Sequence, residues 1–131
     1  ADDSGISVEV MGGSPGIFSA IWSGTRSDQT NRELLLAQLK DIPEEHRGAA
    51  FVCTIALVED EGETSFTGIW PGRIAFSATG DGGFGYDPLF YVQDLNCHAA
   101  EIDKQQKNLI SHRGIAMREL LKKLTITKSL S

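Results

Sequence analysis

Three short stretches of the chain carry side chains that can do chemistry. The first is Ala1-Asp2-Asp3-Ser4-Gly5. Adjacent carboxylates can hold Mg²⁺, which takes oxygen ligands and is commonly bound through one or two carboxylates plus substrate phosphates. Neighbours in a strand point to opposite faces, so one of the pair would face a site. A solvated acidic stretch is the bland alternative. The second is Gly80-Asp81-Gly82-Gly83-Phe84-Gly85-Tyr86-Asp87-Pro88. Gly80, Gly82 and Gly85 satisfy a GxGxxG spacing, but a dinucleotide fold needs a helix opening among the glycines. Here Pro88 leads instead into the β-prone Leu89-Phe90-Tyr91-Val92, which rejects that fold. A glycine loop bearing Phe84 and Tyr86 can approach a ligand closely and offer an aromatic face to a base. Equally, it can be a tight turn whose aromatics belong to the core. The third, Lys107-Asn108-Leu109-Ile110-Ser111-His112-Arg113-Gly114, gathers Lys, His and Arg around a predicted helix start. Cations there oppose the helix dipole. An anion or a carbonyl-rich ligand at that end would explain them; a solvated basic face is the plainer reading.

Other chemistries fit worse. Ser111, His112 and Asp87 could be written as a triad, but no G-x-S-x-G elbow is present, and sequence-adjacent Ser and His rarely reach the required geometry. His46, His98 and His112 lack zinc spacing, and there is no Walker A sequence. Twelve Lys and Arg against eighteen Asp and Glu leave a net charge of −6, without the basic footprint of a nucleic-acid-binding module. A single triphosphate needs only a few local cations and a metal, so a nucleotide substrate stays open.

The elements that must position these residues follow from periodicity. Ile6, Val8 and Val10 alternate with polar residues as a half-buried strand, followed by a Gly-Pro loop over 12–16. Capping residues at 27–30 precede a helix over 31–40, in which Leu35, Leu36 and Leu39 share a face and which Pro43 closes. Residues 49–58 are apolar on both faces, as expected of a central strand in a covered sheet. A turn at 60–62 leads to a strand over 64–70, Pro71-Gly72 is expected to turn, and a third strand covers 73–78. A short strand at 89–92 and a helix over about 111–124 complete the set, with Lys122 and Lys123 in its last turn and a frayed tail after Thr125. Helices interleaved with strands make an α/β or α+β domain.

The chain of 131 residues fits a single domain, residues 1–131, with 40% hydrophobic and 23% charged residues as in ordinary soluble proteins. The longest apolar stretch, 49–58, is too short to span a bilayer, and no signal peptide opens the chain. Cys53 and Cys97 form no CxxC pair and read as reduced thiols, so a cytoplasmic location is expected.

Taken together and in this order, the segments resemble the inosine triphosphate pyrophosphatase family. Residues 1–6 resemble its strand carrying the catalytic carboxylate. Gly13-Ser14-Pro15-Gly16-Ile17-Phe18-Ser19-Ala20 is similar to its Gly-x-Pro-Gly-x-x-Ser-Ala loop. Gly83 to Pro88 resembles its nucleotide-binding loop, and Ala100-Glu101 with Lys107 and Ser111-His112-Arg113-Gly114 resembles its last motif.

The resemblance implies an α/β fold with a mixed central β-sheet flanked by helices, two lobes around a cleft, and a homodimer. It implies Mg²⁺-dependent cleavage of non-canonical purine nucleoside triphosphates, the inosine, deoxyinosine and xanthosine forms, to monophosphate and pyrophosphate. It assigns Asp3 as proton acceptor and metal ligand, Ser4 as an adjoining substrate contact, and Phe84, Gly85, Tyr86 and Asp87 as the substrate loop. Lys107, His112 and Arg113 take the remaining substrate contacts, and Phe84 or Tyr86 stacks on the purine. Two departures stand out. Ile21 and Trp22 follow Ser-Ala where the family has Arg and an aromatic. The family's upstream Thr-x-Asn-x-x-Lys motif is also absent, so the chain is expected to be the C-terminal major portion of the enzyme, weakly active or inactive alone. The alternative is a non-catalytic nucleotide-binding or interaction domain. A relative acting on modified pyrimidine triphosphates is disfavoured by Ser111-His112-Arg113.

Overall fold

Five strands pair in chain order into one antiparallel sheet in the computed structural model, which describes residues 2–60, 62–80 and 85–130. The strands are β1 (Asp2–Val8), β2 (Gly48–Glu59), β3 (Gly62–Ile74), β4 (Phe90–Val92) and β5 (Cys97–His98). Three helices accompany them: α1 (Asp28–Gln38), α2 (Lys104–Ile110) and α3 (His112–Leu130). The α/β class with a central sheet flanked by helices is therefore present, and every pairing within the described residues is antiparallel. No helix among them is long and apolar enough to cross a membrane.

Residues directly opposite in an antiparallel ladder share a face. The register Ser4↔Cys53, Ile6↔Phe51 and Val8↔Ala49, continued by Phe51↔Trp70 and Cys53↔Gly68, sets up one apolar face. Ile6, Val8, Phe51, Trp70 and Phe90 are buried on it with Leu35 of α1 and Leu39 just past its end. Burying each such side chain contributes about 1.5–3 kcal/mol. Farther along, Cys53 and Ile55 pack against Ala116 of α3. The other face of β2 is not equally covered: Val52, Thr54 and Ala56 are half-buried and Val58 is 75% exposed. The expectation of a strand covered on both faces thus holds on one face only.

Several expected boundaries shift, the strand expected over 73–78 is the end of β3, and one helix appears unannounced. The first strand ends at Val8, and Val10 falls in a 3-10 turn, Glu9–Met11. Pro71-Gly72 is not a turn; β3 runs straight through to Ile74. β4 joins β3 only at Arg73 and Ile74, so Pro71 sits where one side of the strand is unpaired, the place a strand tolerates proline. Gly72 leaves room for Phe90, whose ring would stand 2.6 Å from any added Cβ. Helix α2 has no apolar periodicity to announce it; Asp103 caps it, accepting from the Gln105 N–H at 3.2 Å. Helix α3 continues past Leu124 to Leu130 because no Gly or Pro follows Gly114, which leaves Lys122 and Lys123 inside the helix.

Helix α1 is fixed at both ends. Ser27 caps its start, accepting from the Thr30 N–H at 3.2 Å. Buried Asn31 ties it to the 3-10 turn Gly16–Ile21, donating to the Ala20 carbonyl at 2.9 Å and accepting from the Ser23 N–H at 2.7 Å. At the other end Arg47 is fully buried, and burial lowers its pKa. Its guanidinium donates to the carbonyls of Ile42 at 2.8 Å, Ala75 at 3.2 Å and Leu39, and lies 4.0 Å above the Phe76 ring. The Leu39 carbonyl is one that the end of α1 leaves open.

Candidate active site

The site begins where α3 lands on the sheet. A Cβ on Gly68 would come within 1.8 Å of the His112 carbonyl oxygen, so only glycine in β3 lets the helix lie this close. Gly114 does the same for the α2–α3 corner, where an added Cβ would meet the Asn108 carbonyl at 1.9 Å. Between them, buried Ser111 accepts from the Gly114 N–H at 3.2 Å and so starts α3. This corner delivers His112 to β1. His112 Nε2 and Ser4 Oγ share a hydrogen bond of 2.5 Å across 108 residues. The imidazole stacks on Phe51, with centroids 5.0 Å apart and planes at 16°. Arg113 follows as an exposed residue of the first turn.

Asp3 precedes Ser4 on β1, and its backbone pairs with Thr54. Thr54 lines a cavity of about 270 Å³ together with Ser4, Ser7, Gly13, Gly16 and Val52, so this end of β1 borders open space rather than packed core. Hydroxyls of Ser4, Ser7 and Thr54 line it, oxygen groups of the kind Mg²⁺ prefers. Among the described residues no group of three or more His, Cys, Asp or Glu side chains converges.

The second part of the site is the segment 85–87, held from three elements in succession. Gly85 donates its N–H to Asp28 Oδ2 at 3.1 Å and accepts at its carbonyl from Arg32 Nη1 at 2.8 Å. Tyr86 is 5% exposed and donates its hydroxyl to the Ser19 carbonyl at 2.6 Å. Burial, with the nearby charge of Asp28, pushes its pKa up to about 12. Asp87, also buried, pairs with Lys107 of α2. Of the two aromatics expected to offer a face to a base, Tyr86 packs in the core. Phe84, the other aromatic of that pair, lies outside the described residues.

The structure thus brings Ser4 to His112 and Lys107 to Asp87, joins both pairs through the α2–α3 corner, and places Gly85 and Tyr86 beside Asp87. Asp28, Arg32 and Phe51 were not foreseen as parts of the site. Nothing in their local sequence marks them, because each acts on a residue distant in the chain.

A family model described as the Ham1 family matches residues 1–123. Among curated proteins, the dITP/XTP pyrophosphatase of Photorhabdus laumondii is 50% identical over 125 residues, covering 92% of this chain and 64% of the relative. That of Mycobacterium tuberculosis is 52% identical over 122 residues, covering 92% and 60%. Among solved structures, the Staphylococcus aureus Ham1 protein superposes with a TM-score of 0.91 at 42% identity, over 95% of this chain and 65% of that one. A Mycobacterium abscessus nucleoside-triphosphatase, dITP/XTP pyrophosphatase, gives 0.83 at 49% identity, over 95% and 64%. The chain therefore spans less than two thirds of the length of these relatives.

Proposed function

The chain belongs to the Ham1 family, and from that premise we propose that it hydrolyses non-canonical purine nucleoside triphosphates to monophosphate and pyrophosphate. The observation that carries this reading is the hydrogen bond joining Ser4 to His112, which brings the helix start bearing His112 and Arg113 onto the strand that carries Asp3. Relatives about half identical to this chain are named dITP/XTP pyrophosphatases, which supports the same substrate class.

In this reading Asp3 accepts the proton of the attacking water. When bound at Asp3 and the substrate phosphates, Mg²⁺ supplies charge neutralisation at the phosphate oxygens. Lys107, held by Asp87, adds positive charge, and Phe84 stacks on the base. Arg113 and His112 donate to a 6-oxo purine. Adenine presents an amino donor at that position, so donor faces donor, and an unpaired buried donor discriminates strongly against it.

The test is product analysis with inosine triphosphate and ATP, with and without Mg²⁺, on this chain and its Asp3→Asn variant. Slow release of pyrophosphate from inosine triphosphate in preference to ATP, dependent on metal and lost in the variant, is expected, in keeping with a weakly active chain. Equal turnover of ATP, orthophosphate as the product, or no release at all would contradict the proposal.

A further inference from the structure

We propose that Asp28 and Arg32 of α1 are positioning residues for the nucleotide loop: by gripping both backbone polar groups of Gly85, they set affinity for the purine end of the substrate. The inference rests on the nucleotide reading above and extends it to two residues that touch no part of the substrate in that reading.

Gly85 has φ 60°, in the left-handed region, and among the described residues a Cβ there would meet nothing within 4 Å. Backbone conformation, not crowding, therefore calls for glycine. A glycine has no side chain by which packing could hold it, so its N–H and C=O are its only handles. Both are taken by side chains one helical turn apart on α1, the N–H by Asp28 at 3.1 Å and the carbonyl by Arg32 at 2.8 Å. Residues four apart lie on one stripe of a helix, so the two grip the loop from one rigid edge. Each bond has one ionised partner, which makes it stronger than a neutral pair. Holding both groups fixes the two peptide planes that flank Gly85, since each peptide unit is planar.

The fold does not otherwise call for these side chains. Asp28 is exposed and Arg32 half-buried, whereas α1 meets the core through Asn31 and Leu35. The helix itself is fixed independently by Ser27, Asn31 and Arg47. Downstream of Gly85 the chain is anchored by Tyr86 and Asp87 without help from α1. What Asp28 and Arg32 add is the orientation of the backbone just before those anchors, next to Phe84.

Calorimetric titration of the full chain with inosine triphosphate and with inorganic tripolyphosphate, both with Mg²⁺, tests this. Asp28→Ala and Arg32→Met are each expected to weaken inosine triphosphate binding by about tenfold, the loss of one charge-assisted hydrogen bond. Tripolyphosphate affinity should stay unchanged, and the thermal midpoint should fall only by the small amount that loss of one hydrogen bond brings. Asp28→Asn keeps an acceptor oxygen and should recover most of the loss. Inosine triphosphate binding that survives both substitutions, or an equal loss for tripolyphosphate, would overturn the inference alone. No inosine triphosphate binding by the unsubstituted chain would overturn the nucleotide reading, and this inference with it.

Discussion

The two parts of the candidate site are held by different physics. The corner that carries His112 is placed by shape: Gly68 lets α3 onto the sheet, Gly114 lets α2 turn into α3, and Phe51 backs the imidazole. The segment 85–87 is placed by polar bonds from α1, the Gly16–Ile21 turn and α2, each attached to one residue. Close packing is stiff and unforgiving of added volume. A set of separate hydrogen bonds yields one at a time and responds to charge and pH. A candidate site built this way has a rigid wall where α3 meets the sheet and an adjustable one at the segment 85–87.

Substitutions should separate the two regimes. Gly68→Val puts atoms where the His112 carbonyl lies, and overpacking of this kind is expected to cost about 3 kcal/mol, read as a lower denaturation midpoint. Because α3 must lift, the Ser4–His112 bond should be lost as well; a variant as stable as the parent would show that shape does not set the corner. Lys107→Met leaves Asp87 without its buried counter-charge. Breaking a buried pair costs several kcal/mol, and the partial exposure of Lys107 reduces this to about 2 kcal/mol by the same denaturation measurement.

Tyr86→Phe removes only the bond to the Ser19 carbonyl, about 1 kcal/mol. It carries a sharper signature in pH. The folded-state pKa of about 12 lies above the ordinary value of 10.0. The unfolded chain therefore loses this proton first, and stability present below pH 10 falls as pH rises from 10 toward 12. Denaturation midpoints across that range should show less decline in the phenylalanine variant than in the parent. Parallel declines would place the hydroxyl outside the core.

Much of this arrangement could be read from residue types, and the rest had a physical reason to stay hidden. The alternation of Ile6 and Val8, the apolar stretch of β2 and the leucines of α1 announce their elements through period alone. Of the cations expected at a helix start, Lys107 lies instead in the last turn of α2, where its charge suits the dipole, and only His112 and Arg113 open α3. Pro71-Gly72 misled because turn chemistry and close approach call for the same residues; only the position of Phe90 distinguishes them. Tyr86 reads equally as base platform or core, and burial decides for core. The grip of Asp28 on Gly85 spans 57 residues and leaves no periodic trace.

The most direct test is whether the two parts form one nucleotide site. Titrating the isotopically labelled chain with inosine triphosphate while following the His112 ring and Gly85 amide resonances reports on both in one experiment. Both sets should shift along a common binding curve, with ATP far weaker. Shifts confined to one part, two unrelated curves, or an equal response to ATP would contradict a single purine-selective site.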